Sequence, residues 1–290
     1  MEGYRAIGQR LRAQRIAAGM TADEVAQAIG VSRALLYRYE AGQVVKLDIL
    51  ERLARIYGSS PTTLLGLGNE YITNGLQFFD RVQKLEESAE QVTVVFGPIA
   101  YVLTSERYDP LLEAAITQES ALADGLGPAE SRQLMKILKA RKAAFRFRQP
   151  SLVNIVPIAH IERYLANGMG AQPDMPYARR AQLRREALRE MQHMAELVSS
   201  PPMGVQIALT RHPLPTAGFE LMRAQNRRLL VNSPFRIVEP TNVSYGVATI
   251  TEDAEALRMH ERLVGRLWDT ALKAGAAADE LRRLIKTYRA

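Results

Sequence analysis

Residues 20–43, MTADEVAQAIGVSRALLYRYEAGQ, predict two short consecutive helices separated by a tight turn. Thr21 and Glu24 have the spacing of a capping box, in which each side chain hydrogen-bonds the other residue's backbone N–H at the start of a helix. Gly30 supplies the turn, because glycine adopts a positive φ without steric cost. Ser32 is placed to cap the second helix. The rest of the N-terminal region can be placed relative to this stretch.

Apolar residues recur at helical spacing on both sides of the stretch and predict three further helices. The first ends at Gly19, the next spans about residues 46–57, and the last is a short turn in which Pro61 suits the first helical position. Their predicted inward-facing residues are Ile7, Leu11, Ile16, Leu50, Leu53, Ile56, Leu64 and Leu65. Residues 1–68 therefore predict an all-α domain of five helices.

A helix, a glycine turn and a capped helix form the plan of the helix-turn-helix motif. Within that plan the stretch closely resembles the signature of Xre/Cro-type repressors, whose five-helix DNA-binding domain is lambda-repressor-like. The residues in register with that signature are Ala26, Gly30, Val31, Ser32, Leu36, Tyr39, Glu40 and Gly42. The resemblance implies binding to double-stranded DNA. The alternative is a helix-turn-helix that has lost DNA binding and only mediates contacts.

The resemblance also implies which residues contact DNA. The third helix would enter the major groove with its first turns foremost. Arg33 would then meet base edges, with guanine as the natural partner, and Ala34 would pack on a thymine methyl group. Tyr37 and Arg38, one turn further along, would reach a base or a phosphate. The candidate phosphate contacts are Thr21, Ser32, Gln43 and Lys46.

Two other features of the N-terminal region follow from the same resemblance. Arg15 and Glu40 occupy the positions of a structural ion pair that holds the first helix against the third. Ala22 departs from the pattern, because many relatives carry Gln there, where it contacts the DNA backbone and braces the recognition residue. That contact is missing from this chain.

The charge of the chain is unevenly distributed. The 290 residues carry a formal net charge of +7 and the pI is about 9.7, which favours an anionic partner. Residues 1–66 contribute +3, residues 67–130 contribute −8, residues 131–240 contribute +11 and residues 241–290 contribute +1. Such asymmetry indicates either surfaces with distinct partners or oppositely charged parts that face one another.

Composition excludes several classes of function. The absence of Cys excludes disulfides, thiol nucleophiles, thiolate zinc sites and Cys-ligated iron–sulfur clusters. The four His, at 160, 193, 212 and 260, do not have the close spacing of a metalloprotease motif, so we expect no metal and no cofactor. We also expect no membrane contact and a cytoplasmic protein. The first twenty residues lack the apolar core of a secretory signal, and no run approaches the ~18 apolar residues that span a bilayer.

Residues 69–90 predict an amphipathic connector helix. Its apolar stripe, close to heptad spacing, is Ile72, Leu76, Phe79, Val82 and Leu85. The stripe could pack against its own domain, across a dimer axis, or both. We favour both, because regulators of this type usually bind two-fold operators as homodimers.

Residues 91–290 predict an α+β domain, because short β-branched or aromatic runs alternate with long helical segments. The predicted strands cover residues 92–96, 152–158, 203–209, 219–222, 228–232, 235–238 and 243–250. The predicted helices cover residues 110–123, 128–147, 178–198 and 254–274. The order of these segments resembles the antitoxin-like domain that follows the helix-turn-helix in many actinobacterial Xre-type regulators. That resemblance implies a regulatory or sensing module.

We expect no catalytic activity. A self-cleaving repressor needs a Ser–Lys dyad that the sequence does not place, and there is no phosphate-binding glycine loop. His160 and Glu162 could form an acid–base pair, but an isolated pair of this kind is more often a structural contact. A set of aromatic residues could line an effector pocket, although such residues are more often core. The set is Phe219, Phe235, Tyr245 and Trp268.

The basic segments of the C-terminal domain have two interpretations. Residues 131–148, and then Arg179, Arg180, Arg184 and Arg185, could contact DNA or an anionic effector. The favoured interpretation is a solvated surface that also balances the acidic segment.

The sequence as a whole predicts a sequence-specific, dimeric transcriptional repressor with a C-terminal domain for sensing or dimerisation, which would bind a small-molecule effector or a protein partner. The alternative is an antitoxin-like protein-interaction module whose DNA binding is autoregulatory.

Overall fold

The structure, a computed structural model, describes residues 2–65, 69–120, 126–169, 175–212, 218–225, 227–237 and 241–289. The chain divides into two compact units. The N-terminal unit is Met1–Glu70 with Thr251–Asp253, and the C-terminal unit is Tyr71–Ile250 with Ala254–Ala290. The predicted fold class is confirmed: a five-helix N-terminal region precedes a domain of helices and a mixed sheet.

Five helices form the N-terminal unit. They are α1 Glu2–Ala17, α2 Ala22–Ile29, α3 Arg33–Glu40, α4 Leu47–Ile56 and α5 Pro61–Leu65. Their core includes Leu11, Leu36, Leu53 and Leu64, which have no or almost no solvent exposure. Ile16, predicted to face inward, is instead 60% exposed. It follows Leu11 by five residues, which places it about 140° further around the helix.

Helix α1 approaches the end of α3 closely at Gly8. A Cβ atom built on Gly8 would lie 2.6 Å from the carbonyl oxygen of Glu40 and 2.7 Å from that of Tyr39. Real side chains do not tolerate such distances to backbone atoms, so glycine at this position sets how near the two helices lie.

The sheet of the structure contains eight strands. They are β1 Glu70–Ile72, β2 Gln91–Val95, β3 Ser151–Pro157, β4 Val205–Thr210, β5 Gly218–Ala224, β6 Arg227–Ser233, β7 Ala248–Thr251 and β8 Leu272–Lys273. Their order across the sheet is β1-β7-β6-β5-β2-β3-β4-β8. Strands β2, β3 and β4 are parallel neighbours, whereas β5 runs antiparallel to β2 and to β6. Parallel neighbours need long crossovers, which the helices supply.

The helices of the C-terminal unit cover the two faces of the sheet unequally. They are α6 Gly75–Glu86, α7 Tyr108–Ser120, α8 Pro128–Arg148, α9 Ile158–Asn167, α10 Tyr177–Ser199, α11 Ala254–Thr270 and α12 Ala274–Arg289. The main core joins all of these helices except α11 to one sheet face, which includes Val92 and Val94. The alternate residue Val95 belongs to a smaller cluster under α11. Side chains of a strand alternate between faces, so one strand serves both cores.

Two predicted strands are wrong or too long. Residues 235–237 form no strand, because Arg236 pairs with Asn242 only in an isolated bridge, and residue 238 lies outside the described residues. Residues 243–247 are also irregular, and β7 begins at Ala248. The Asn242 amide donates to the carbonyls of Pro234 and Tyr245, while its oxygen accepts from the Tyr245 N–H. Asn side chains of this kind hold a turn in place of a ladder.

The predicted connector helix is shorter than residues 69–90. Ile72 lies in β1, and the Asn74 side chain accepts a hydrogen bond from the Gln77 N–H, so that the helix begins at Gly75. The remaining apolar stripe packs inside the C-terminal unit, where Phe79 and Val82 are buried in the main core. The stripe therefore packs against its own domain, and it offers no apolar surface for a dimer axis.

The predicted closing helix at residues 254–274 is too long. Helix α11 ends at Thr270, β8 then pairs with β4, and α12 begins at Ala274, which has a positive φ of 46°. Helices α9 and α12 lie outside the segments predicted as helix.

Helix α8 carries much of the basic excess, and its side chains pair with the acidic segment. The pairs are Lys139 with Glu113, Arg141 with Glu86, Lys142 with Asp109, and Arg146 with Glu106. All four acids belong to residues 67–130. Arg141 and Lys142 are buried, which differs from the predicted solvated surface, but the balance of opposite charges is as the favoured interpretation expects.

Replacing Asp109 with alanine removes the carboxylate that lies 2.6 Å from the buried Lys142 ammonium. We expect Asp109→Ala to lower the free energy of unfolding of the C-terminal unit by about 3–5 kcal/mol, because it leaves an uncompensated charge inside. Urea denaturation followed by fluorescence of the single tryptophan, Trp268, measures this loss.

The matched control is Glu113→Ala on the same helix. Its partner Lys139 is about half exposed, so we expect a loss below about 1 kcal/mol. Equal losses in the two variants would contradict the distinction between a buried and an exposed pair.

Candidate nucleic-acid interface

Helix α2 and the turn after it are fixed by local hydrogen bonds. The Glu24 N–H donates to the Thr21 hydroxyl oxygen at 3.3 Å, and the Thr21 N–H donates to the Glu24 carboxylate at 2.7 Å. The Thr21 N–H and the Thr21 hydroxyl both donate to the Glu24 carboxylate, which holds the pKa of that carboxyl below its usual value. Gly30 follows α2 with a left-handed φ of 73°, and the Ser32 hydroxyl oxygen accepts from the Leu35 N–H at the start of α3. The chain between α2 and α3 is therefore set by its own residues.

Helix α3 presents a polar face to solvent. Leu36, Tyr39 and Glu40 are buried on its inner side. The four predicted base-reading residues are all exposed, namely Arg33, Ala34, Tyr37 and Arg38. Positions i, i+1, i+4 and i+5 lie on one side of a helix, so these four residues form a single surface, which we call the α3 outer face.

Arg33 is held in a defined position on the α3 outer face. Its Nη2 donates to the Tyr37 hydroxyl at 3.2 Å, and its guanidinium carbon lies 5.4 Å from the centre of the Tyr37 ring. Its Nη1 lies 3.0 Å from the Asp23 carboxylate on α2. The Tyr37 hydrogen bond, then the Asp23 charge, raise the pKa of Arg33. The guanidinium is thus aligned by an aromatic ring and neutralised by an exchangeable, exposed acid.

Asp23 is a functional candidate that the sequence analysis does not include. At the second position of α2 it reads as an ordinary acidic residue near a helix N-terminus, where such charges are favourable. Its contact with Arg33 depends on how α2 and α3 pack together. Ala22, the departure from the Xre-type pattern, is buried, and so the α2 side chain that meets Arg33 is Asp23.

The four predicted phosphate contacts are exposed and lie at helix starts or in a turn. Thr21 and Ser32 precede α2 and α3, and Lys46 precedes α4 without making a side-chain cap. Gln43 lies in the turn after α3, where its N–H donates to the Arg38 carbonyl. Free N–H groups at helix N-termini attract anions. Among the described residues, no hydrogen bond or ion pair joins the side chains of Gln43 or Lys46 to the α3 outer face.

Arg15 and Glu40 form a two-point ion pair that joins α1 to the end of α3. Arg15 Nε lies 2.6 Å from Glu40 Oε1, and Nη2 lies 3.0 Å from Oε2. Arg15 Nη1 also donates to the Met20 carbonyl just before α2. The Glu40 hydrogen bond raises the pKa of Arg15, and both side chains are nearly buried. One arginine therefore links α1, the start of α2 and α3.

The candidate acid–base pair His160 and Glu162 is not assembled. The two residues are i and i+2 on α9, so their side chains point in different directions. Burial, then the charges of Arg163 and Arg236, lower the pKa of His160 to about 4, so this imidazole is neutral near pH 7. Its Nδ1 is buried and has no hydrogen-bond partner among the described residues.

The four aromatic candidates for a pocket separate in the structure. Phe219 and Phe235 line a cavity of the C-terminal unit, whereas Tyr245 is exposed. Trp268 lies in the cluster under α11, and the centre of its ring is 5.1 Å from the Lys273 ammonium.

In the part of the chain that the structure describes, no three His, Asp or Glu side chains are grouped as a metal site. No described helix combines the length and apolar character required to cross a lipid bilayer.

Comparison with known proteins identifies the N-terminal helices. Residues 6–65 match a family model described as a helix-turn-helix domain. The match extends from α1 to the end of α5, and it indicates a DNA-binding regulator. No curated protein shows significant similarity to the chain.

Glu40→Ala tests the role of the ion pair in the N-terminal unit. It leaves the Arg15 guanidinium nearly buried without its carboxylate. We therefore expect the free energy that protects the α1 and α3 amides from hydrogen exchange to fall by about 3–5 kcal/mol. Hydrogen exchange of the α1 and α3 amides, measured by mass spectrometry on the full chain, reports this loss.

Two variants complete that experiment. Asp23→Ala removes an exposed carboxylate from the same unit and should leave α1 exchange unchanged. Arg15→Met combined with Glu40→Leu should recover part of the loss, because no buried charge then remains. An unchanged exchange rate in Glu40→Ala would rule out a stabilising role for the pair.

Proposed function

We propose that this chain is a sequence-specific transcriptional regulator of the Xre/Cro type that represses as a homodimer and has no catalytic activity. The observation that carries the proposal is the α3 outer face, where four exposed residues with base-reading or DNA-contacting chemistry lie on one side of a locally capped helix. A helix-turn-helix places such a helix in the major groove of DNA.

Arg33 supplies the main sequence readout in this proposal. An arginine reads guanine by donating two hydrogen bonds, one to O6 and one to N7. Stacking on Tyr37 keeps the guanidinium extended, which lowers the entropy lost when it meets a base. Asp23 must release Arg33 for that contact, and its negative charge then lies near the DNA. Hydrogen bonds to the correct base offset the loss of the Arg33–Asp23 ion pair. DNA that offers Arg33 no acceptor does not offset it, and the Asp23 carboxylate then repels the nearby phosphates.

Phosphate contacts supply position and affinity. The starts of α2, α3 and α4, with Thr21, Ser32 and Lys46, would orient the N-terminal unit on the DNA backbone, and Gln43 would add a contact from the adjacent turn. Two copies would bind half-sites one helical turn apart, and the C-terminal unit would supply dimer contacts and regulation. Occupancy of a promoter by this dimer would repress transcription.

Selection of bound sites from random double-stranded DNA with the full chain tests this function. We expect enrichment of a two-fold symmetric sequence whose half-sites are about 10 base pairs apart, bound by two protein copies in sedimentation. A promoter carrying that sequence should lose activity when the protein is added to a transcription reaction. Absence of any enriched sequence would refute sequence-specific binding. A protein that co-purifies from the native cells in a 1:1 complex would instead support the antitoxin-like alternative.

Arg33→Ala and Lys46→Ala should differ in kind. Because Arg33 reads a base, its loss should lower affinity for the selected site roughly 10- to 100-fold and relax preference at one base pair. Because Lys46 contacts a phosphate, its loss should weaken all sequences alike and reduce the slope of log affinity against log salt by about one. Fluorescence anisotropy on site variants at several salt concentrations measures both. An unchanged base preference in Arg33→Ala would overturn its assignment.

Asp23→Asn should raise the affinity for DNA in general and lower the specificity for the selected site. The amide keeps the size of the side chain but removes the negative charge beside Arg33, so we expect tighter binding to unrelated DNA and a smaller ratio of specific to nonspecific affinity. The same anisotropy assay measures both affinities. Glu51→Gln, an exposed acid on α4, serves as the control for the general effect of charge. If the two variants shift nonspecific binding equally, Asp23 has no special role.

A further inference from the structure

The C-terminal unit contains a cavity between the main-core face of the sheet and helices α6 and α8. Its volume is about 80 Å³. The walls are mostly apolar, and their aromatic residues include Phe78, Phe79, Phe96, Tyr101, Phe145 and Phe235. A single water needs about 10–15 Å³ of such space. The cavity therefore has room for roughly five to eight waters, or for one ring with a short side chain. Small-molecule sites are typically apolar clefts with few polar groups.

Glu220 is an acid on the sheet face that lines this cavity. It lies in the middle of β5, where its partners across the sheet are Val94 on β2 and Val231 on β6. The side chain as a whole is half-buried because it borders the cavity, but its Oε2 is buried and has no hydrogen-bond partner among the described residues. Burying an unsatisfied carboxyl oxygen is unfavourable, and native proteins rarely retain one without a reason.

Arg141, the cation whose charge acts on Glu220, is paired with a different acid. Arg141 on α8 is committed to Glu86 on α6, with Nε 2.8 Å from Oε2 and Nη2 2.7 Å from Oε1. Burial, then the Glu86 charge, raise the pKa of Glu220 to about 7, against the opposing effect of Arg141. Among the described residues the Glu220 carboxyl therefore forms no ion pair, and it lies close to a second acid.

Three further charged residues line the cavity. They are Glu87, which directly follows α6, Arg148 on α8 and Arg236. Glu87 is exposed, and Arg148 donates to the backbone carbonyls of Glu86 and Ala89. Burial, then the charge of Arg163, lower the pKa of Arg236. None of the three contributes to the raised pKa of Glu220, whose causes are burial, Glu86 and Arg141.

The aromatic walls favour a cation next to Glu220. The faces of aromatic rings attract positive charge, and two protein cations already use rings of this wall: Arg141 lies 5.8 Å from the centre of Phe79 and Lys142 lies 4.6 Å from the centre of Tyr101. A ligand cation would pair with Glu220 and offset its repulsion by Glu86. An anionic ligand would meet two acids there, and a neutral ligand would gain at most a hydrogen bond.

We propose that this cavity binds a small hydrophobic ammonium compound, with the ammonium on Glu220 and the apolar body among the aromatic side chains. If the chain is the regulator proposed above, this compound is its effector, but binding itself does not depend on that role.

Calorimetric titration of the full chain with matched pairs of compounds tests the proposal. The pairs are 2-phenylethylammonium with 2-phenylethanol, cyclohexylmethylammonium with cyclohexylmethanol, and hexylammonium with hexanol; 3-phenylpropionate is added as an anion. We expect at least one ammonium compound to bind at least tenfold more tightly than its alcohol, and the carboxylate not to bind. The proposal is overturned if no ammonium compound exceeds its alcohol, or if 3-phenylpropionate binds best.

Two variants locate the site. Glu220→Gln should lower the affinity for the ammonium compound at least tenfold, because only the charge is removed. The affinity for the matching alcohol should stay within about twofold. Glu87→Gln removes an exposed acid at the same cavity and should leave both affinities within about twofold. A urea midpoint for Glu220→Gln at or above that of the unchanged chain at pH 8 shows that it folds. Equal weakening by the two variants would overturn the assignment to Glu220.

The dependence on pH gives an independent readout. An ammonium compound pairs with ionised Glu220, and the ionised fraction in the free protein rises from about a tenth at pH 6 to about nine tenths at pH 8. We expect affinity to rise about tenfold over this interval in the unchanged chain and to stay constant in Glu220→Gln. An affinity that falls as pH rises would indicate a neutral ligand bound to the protonated acid and would overturn the proposal.

DNA binding is measured separately, with and without the ammonium compound. Calorimetric binding without any change in DNA affinity would leave the cavity assignment in place and remove only the role as effector. Failure of the chain to select a DNA sequence would refute the proposed function and leave the calorimetric test intact.

Discussion

Helix α8 carries two cations into the interior of the C-terminal unit, and the arrangement around them depends on matching each with a carboxylate. Arg141 meets Glu86 at the end of α6, and Lys142 meets Asp109 at the start of α7. A buried charge without a partner costs several kcal/mol, so these three helices must be placed together. The acidic segment and much of the basic excess are thus complementary parts of one unit, and the large positive charge of residues 131–240 is not a measure of surface available to DNA.

The N-terminal unit uses buried and exposed ion pairs for different purposes. The pair between Arg15 and Glu40 is nearly buried and two-pronged, and with the close approach at Gly8 it fixes α1 against α3. The pair between Arg33 and Asp23 is mostly exposed, so solvent weakens it, and in the proposed function a DNA base would replace it. The buried pair holds α3, whereas the exposed pair keeps the Arg33 side chain in place. Only the first could be expected from the sequence, because the second depends on packing between helices.

Local signals explain how much of the structure was predictable. The capping box at Thr21 and the left-handed Gly30 are specified by neighbouring residues, so the helix boundaries around them could be derived, and strands β2 to β6 each overlap a predicted run. Predictions were wrong where distant residues decide. Ile72 joins a sheet edge instead of extending the connector helix, and the Asn242 side chain makes a turn beside a run that reads as strand. Nothing in the sequence around Glu220 distinguishes it from an acid on a solvated strand.

The position of Glu220 links the cavity to the charge pairing around α8. Arg141 donates to Glu86 through Nε and Nη2, and among the described residues it forms no ion pair with Glu220. The pairing of Arg141 with Glu86 thus accompanies a buried Glu220 Oε2 that has no hydrogen-bond partner among the described residues. If the chain is the proposed regulator, an effector in the cavity would act only through a difference in affinity between two arrangements of the protein, and its pairing with the charge of Glu220, which Arg141 and Glu86 both influence, would be the source of that difference.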